Sequence, residues 1–242
     1  MSQVREFIPA ASSRTATAPR EASERLPYLY TGLRGFARTM LRRFFAFQVR
    51  GIEQLPTGAF IVAANHVNYL DGVVLGAALA RQIVFLVMPR VYRATPLHPF
   101  FHDHIGSIPI NLARPDHGAI RSVLRVLEAG GLVGIFPEGP FGKDGQLVRG
   151  QPGIALVALR AGVPVVPAAI TGTFEALVTR RGYIPRPVPI RVRFGTPLRF
   201  TAQTRGVLTQ RVREDVTTRI MDEIAALLAD ERRLAARPGV SG

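Results

Sequence analysis

Cysteine is absent from the chain, which excludes disulfides, thiolate metal ligands and a cysteine nucleophile. Long apolar runs are absent too, and none approaches the roughly 20 residues that a helix needs to span a bilayer. The first 26 residues are polar and lack the apolar centre of a secretory signal. The expected location is therefore the cytosol or a membrane face. Lys143 is the only lysine, so nearly all of the 31 basic side chains are arginines. Serine is scarce where a nucleophile would be needed. The seven serines sit mostly in the tails, and no Gly-x-Ser-x-Gly elbow occurs.

What is present is an ordinary globular composition, 47% hydrophobic and 20% charged, on a length that suits one domain with appendages. The net charge of +14 asks for an anionic partner: nucleic acid, an anionic membrane surface or a phosphorylated substrate. No nucleic-acid recognition motif accompanies the charge, so nucleic acid is not expected as a partner.

Along the chain, residues 1–26 read as a mobile polar arm. Over 27–46, Leu29, Leu33, Phe36, Ala37, Met40, Leu41, Phe44 and Phe45 recur at helical spacing, with Arg34, Arg38 and Arg42 on another face. This is a basic amphipathic helix, either packed on the core or lying in a lipid interface. Phe45–Val49, the run ending at His66, Ile83–Met88, Leu132–Phe136, Val163–Ile170 and Ile190–Phe194 read as strands. Helical patterns fall between them, at Val73–Ala80, after the cap Asp116, and at Ile154–Leu159 before Gly162. Leu208–Leu228 is a final amphipathic helix. The alternation predicts an α/β fold, with a largely parallel or mixed central sheet flanked by helices.

The chemistry is sought at strand ends. The apolar run Phe60–Ala64 stops at Asn65-His66, and Asp71 follows His66 by five positions. A buried strand then delivers an imidazole to its carboxyl end, the edge where open α/β sheets bind ligands. His66 is a general base or a structural histidine, and spacing does not separate these. His98 and Asp103 repeat it within a loop-rich stretch that no strand leads into. His98, His102, Asp103 and His104 also raise a metal cluster, but no further ligand set accompanies them, and neither metal nor cofactor is expected. Glu138 in Phe136-Pro137-Glu138-Gly139 lies past another strand end, so it can converge with His66. Lys143 and Arg149 follow on a glycine-rich loop and can reach an anion.

Four blocks stand in order: Asn65-His66-x4-Asp71, Gly106-Ser107-Ile108-Pro109-Ile110-Asn111, Phe136-Pro137-Glu138-Gly139 and Val163-Pro164-Val165-Val166-Pro167. Together they resemble the glycerolipid acyltransferases typified by 1-acylglycerol-3-phosphate acyltransferase, over roughly Phe47 to Leu198. The resemblance implies an acyltransferase domain over 47–205, followed by a C-terminal helix and tail at 206–242. It implies transfer of a fatty acyl group from acyl-CoA or acyl carrier protein to the hydroxyl of a lyso-lipid, with His66 as base and Asp71 as its partner. Glu138 then belongs to the acceptor site, with Asn65 and Gly139 beside it. Two departures touch that site. Pro140-Phe141-Gly142 stands where the family usually has Thr-Arg-Ser, and Leu112 stands near the second block's usual arginine. Arg114, Lys143 or Arg149 then takes over the acceptor's anionic group, or the acceptor differs: a lyso-ornithine lipid, a glycolipid or glycerol 3-phosphate. An anionic membrane surface is the expected docking partner for the N-terminal helix, so the resemblance implies a peripheral protein on the cytoplasmic face of a membrane.

Overall fold

The computed structural model describes residues 27–88, 107–111, 116–140, 144–177, 185–201 and 206–236. The polar arm, His98, His102, Asp103, His104, Arg114 and Lys143 lie outside the described residues. In chain order the helices are α1 Pro27–Phe45, α2 Leu70–Ala78, α3 His117–Glu128, α4 Gly153–Ala161, α5 Thr173–Ala176 and α6 Gln210–Ala235. The strands are β1 Gln48–Arg50, β2 Phe60–Ala64, β3 Ile83–Val87, β4 Ile108–Pro109, β5 Leu132–Ile135, β6 Val165–Thr171 and β7 Arg191–Phe194.

The strands form one sheet in the order β1-β7-β6-β2-β5-β3-β4. Pairing is parallel throughout except between β6 and β7, so the sheet is mixed and largely parallel. β2 sits between β6 and β5, and all five of its residues are buried, as the unbroken run Phe60-Ile61-Val62-Ala63-Ala64 requires of a strand covered on both faces. Its side chains alternate. Phe60, Val62 and Ala64 join the layer that holds Leu41 of α1 and Val74, Leu75 and Ala78 of α2. Ile61 and Ala63 join the layer formed by Val123 and Leu127 of α3, Ile154 and Val157 of α4, and Ile220, Ile224 and Leu228 of α6. Each face therefore buries its own apolar stripe.

Several boundaries move from their sequence-based positions. The expected strand at Phe45–Val49 begins later, because α1 continues to Phe45 and the chain turns at Ala46, whose φ of 43° is left-handed. β4 emerges from the loop-rich stretch by pairing with β3, where Ile110 N–H also donates to Val87 O at 2.9 Å. Asp116 caps α3 as its sequence suggests, accepting from Ala119 N–H. Gly162 ends α4 in the left-handed conformation.

The N-terminal helix is both packed and exposed. Leu41 is buried, and Ala37 and Phe45 lie against the core. Arg34 does not simply face solvent: it donates to Leu79 O at 2.9 Å and Ala80 O at 3.0 Å, where α2 ends. Cations suit that position, because helix C-termini present unpaired carbonyls. Tyr28, Leu33, Phe36 and Phe44 remain exposed on the same helix. No helix among the described residues is long and apolar enough to cross a membrane.

Candidate active site

β2 ends at Ala64, and the loop 65–69 carries the chain over the carboxyl edge of the sheet into α2. Asp71 lies in the first turn of that helix, where a carboxylate is favoured by the amino-terminal dipole. It is fully buried. Its Oδ2 accepts from His66 Nδ1 at 2.9 Å, Val67 N–H at 2.7 Å and Asn68 N–H at 2.8 Å. A carboxylate that gathers backbone donors is an acceptor, so the imidazole donates through Nδ1–H and keeps its basic lone pair on Nε2. The ring also stacks on Phe136, with centroids 4.1 Å apart and planes inclined by 14°. Phe85 stacks behind Phe136, and a Cβ at Gly134 would collide with the Phe85 ring, so glycine makes room for the stack.

Asn68, which sequence reasoning missed, braces the loop. Its Oδ1 accepts from Leu70 N–H at 2.8 Å, and its Nδ2 donates to Thr173 O at 2.5 Å. The signal was available, since Asn just ahead of a helix commonly forms such a turn.

Asn65 was expected at the substrate. Its amide is engaged with Ile170, donating from Nδ2 to O at 2.9 Å and accepting from N–H at 2.7 Å. A side chain thereby extends the β2–β6 ladder past the point where β2 leaves the sheet.

Glu138 does converge with His66, though through the backbone. Its Oε1 accepts from His66 N–H at 2.7 Å and its Oε2 from Val148 N–H at 2.8 Å. Burial pushes this carboxyl above its ordinary range, while the two N–H donors pull it partly back. Gly139 turns the chain at a φ of 79°, beside Glu138.

A cavity of about 710 Å³ opens beside His66, within the range of small-molecule sites. Its walls are mostly apolar and include Phe36 and Met40 of α1, Val73 of α2, Phe85, and Ile154 of α4. Gly139 lines it, as do the polar Tyr69, Ser107 and Gln151. Phe36, Tyr69 and Val73 are each more than half exposed, so the rim is apolar as well. Arg149 is not among these lining residues. It lies 3.8 Å from Glu214 and borders a separate cleft against α6. No group of three or more potential metal ligands occurs among the described residues.

Fold and site together define an α/β protein with a histidine–aspartate pair at the carboxyl edge of its central strand, beside an apolar cavity. The Acyltransferase family model matches residues 46–171, from the end of α1 through β6, and the chain belongs to that family. Among curated relatives, a chloroplastic 1-acyl-sn-glycerol-3-phosphate acyltransferase of Arabidopsis thaliana is 27% identical over 140 residues, covering 56% of this chain and 39% of that protein. The 1-acyl-sn-glycerol-3-phosphate acyltransferase of Bacillus subtilis is 29% identical over 123 residues, covering 50% of this chain and 60% of that protein. The match thus spans about two-fifths to three-fifths of these relatives' lengths. The crystal structure of the 1-acyl-sn-glycerophosphate acyltransferase PlsC from Thermotoga maritima shares the fold, with a TM-score of 0.68 at 20% identity over 88% of this chain and 82% of that one.

Proposed function

We propose that the protein is a membrane-peripheral O-acyltransferase that moves a fatty acyl group from a thioester, acyl-CoA or acyl carrier protein, to the free hydroxyl of a lyso-glycerolipid. The observation that carries this reading is His66, aligned by Asp71 through Nδ1 at 2.9 Å and placed on the wall of a large apolar cavity. His66 Nε2 removes the acceptor's hydroxyl proton as the oxygen attacks the thioester carbonyl. The carbon–sulfur bond breaks on collapse, and the leaving thiolate takes the proton back from the imidazolium. A thioester is already activated, so positioning and proton removal suffice, the latter contributing about 10²–10⁴-fold. No acyl-enzyme forms, in keeping with the lack of any cysteine in the chain.

The relatives' names make 1-acylglycerol-3-phosphate the first acceptor to test. A second reading, the same transfer to a different head group, is favoured by Phe141 in place of the family's usual arginine. The exposed Tyr28, Leu33, Phe36 and Phe44 on α1, with Tyr69 and Val73 on the cavity rim, support docking at a lipid interface, and the +14 charge suits an anionic one. Purified protein, labelled acyl-CoA or acyl carrier protein and a panel of lyso-lipids test the reaction. Transfer to at least one acceptor, abolished by His66→Ala, is the expected result. No transfer to any acceptor, or a pre-steady-state burst of free thiol without acceptor, contradicts it.

A further inference from the structure

The cleft that holds Arg149 is joined to the active site in two ways. Gln151 lines both the cavity beside His66 and this second space of about 450 Å³. The loop between them is anchored to the catalytic edge: Glu138 holds His66 N–H with one oxygen and Val148 N–H with the other, and Gln151 N–H donates to Pro137 O at 2.7 Å. On the far side Gly150 packs against α6 so closely that a Cβ there would lie 2.8 Å from Met221 Cγ and 2.9 Å from Thr217 Cγ2. The backbone at Arg149 and Gln151 is therefore held at a set position relative to His66.

The two spaces differ in chemistry. The cavity is apolar, and Arg34, the arginine among its described lining residues, is committed to the carbonyls that end α2. The cleft carries Arg149, Gln151, Glu214, Thr217 and Thr218. Its two charges are opposite and 3.8 Å apart. A phosphate monoester with nearly two negative charges meets Arg149 favourably but meets Glu214 as a like charge. A head that carries one anion and one protonated amine finds a partner for each.

We propose that this cleft is the polar-head subsite of the acceptor, and that the head it suits is zwitterionic: an anionic group toward Arg149 and an ammonium toward Glu214. The acyl chain of the acceptor then lies in the apolar cavity and its free hydroxyl at His66. This deepens the acyltransferase reading and rests on it.

The test compares two acceptors with the same acyl chain, lysophosphatidylethanolamine and 1-acylglycerol-3-phosphate, on wild type, Glu214→Gln, Arg149→Ala and the swapped pair Arg149→Glu/Glu214→Arg. The wild type should favour the ethanolamine head in kcat/KM. Glu214→Gln should shift the ratio toward the phosphate monoester by about fivefold or more, the scale of one exposed charge contact. Arg149→Ala should raise KM for both acceptors, and the swapped pair should restore part of the ethanolamine preference. Thermal unfolding of each variant separates these effects from misfolding. A wild type that favours the phosphate monoester, or variants that fold and leave the ratio and both KM values unchanged, overturns the cleft assignment while the acyltransferase reading stands. If the wild type acylates neither these nor any other lyso-lipid, both fall.

Discussion

Asp71→Asn isolates what the carboxylate does for His66. In the wild type one oxygen, Oδ2, receives three donors, while Oδ1 is buried without a hydrogen-bond partner among the described residues. The asparagine amide has two placements. With its oxygen toward the three donors, the ring keeps its orientation, but the charge that stabilises the imidazolium is gone and an NH2 is buried where no acceptor waits. With its nitrogen toward them, Nδ1 must become an acceptor, the ring proton moves to Nε2, and the base is lost. A hydrogen bond to a charged group is worth about 1.5–3 kcal/mol, and the lost imidazolium stabilisation adds to that. Turnover should fall roughly 10²–10⁴-fold, comparable to the loss of an orienting carboxylate in a serine-protease triad. The unpartnered amide should also cost about 1–3 kcal/mol of stability. Thiol release from acyl-CoA in the presence of acceptor reads the rate, and urea titration reads the stability. A folded Asp71→Asn enzyme whose kcat/KM stays within about threefold of wild type would refute the assignment of His66 and Asp71 as a working pair.

Glu138→Gln tests the clamp between His66 and the loop at Val148. Because burial raises the carboxyl of Glu138 above its ordinary value near 4.5, its contribution is fully present below that value and is lost as pH rises through the raised one. The stability of wild type relative to Glu138→Gln should therefore be greatest in acid and decline toward neutrality, as followed by denaturant midpoints at several pH values; the opposite slope contradicts the burial argument. Asn65→Ala leaves both the N–H and the C=O of Ile170 without their side-chain partner, so unfolding titrations should show a loss of about 2–4 kcal/mol. A loss of activity with unchanged stability would instead return Asn65 to the substrate. Phe36→Asp removes an aromatic ring that is 65% exposed on α1 and should weaken co-sedimentation with anionic vesicles more than tenfold, since a buried Phe side chain is worth about 1.5–3 kcal/mol. Unaltered co-sedimentation would show that α1 is not the lipid-facing surface.

Local pattern carried much of the fold. The period-2 alternation at Ile190–Phe194, the unbroken apolar run at Phe60–Ala64, the Asp116 cap and the Gly162 stop are short-range statements, and the structure realises each of them. β4 was not legible because two residues become a strand only by pairing with β3. The expected strand at Phe45–Val49 begins only at Gln48 for a related reason, as packing on the core extends α1 to the left-handed turn at Ala46.

The sequence alone determined which side chains sit at strand ends, because a buried strand that stops at a polar pair is a local event. It placed His66 and Glu138 there and Asp71 at the start of the following helix, and it could not rank the His66–Asp71 pair above His98 and Asp103 by spacing. The tertiary structure decided what those side chains do. β2 lies between β6 and β5, so Asn65 meets Ile170 and His66 meets both Phe136 and Glu138, contacts between residues far apart in the chain that depend on one strand order. That order ties the Asn65 amide to Ile170 and the Glu138 carboxyl to the N–H groups of His66 and Val148, so both brace the loop that carries the imidazole. It also set Arg149 apart from the apolar cavity and beside α6, because long-range pairing and packing, rather than local preference, choose the neighbours of a side chain.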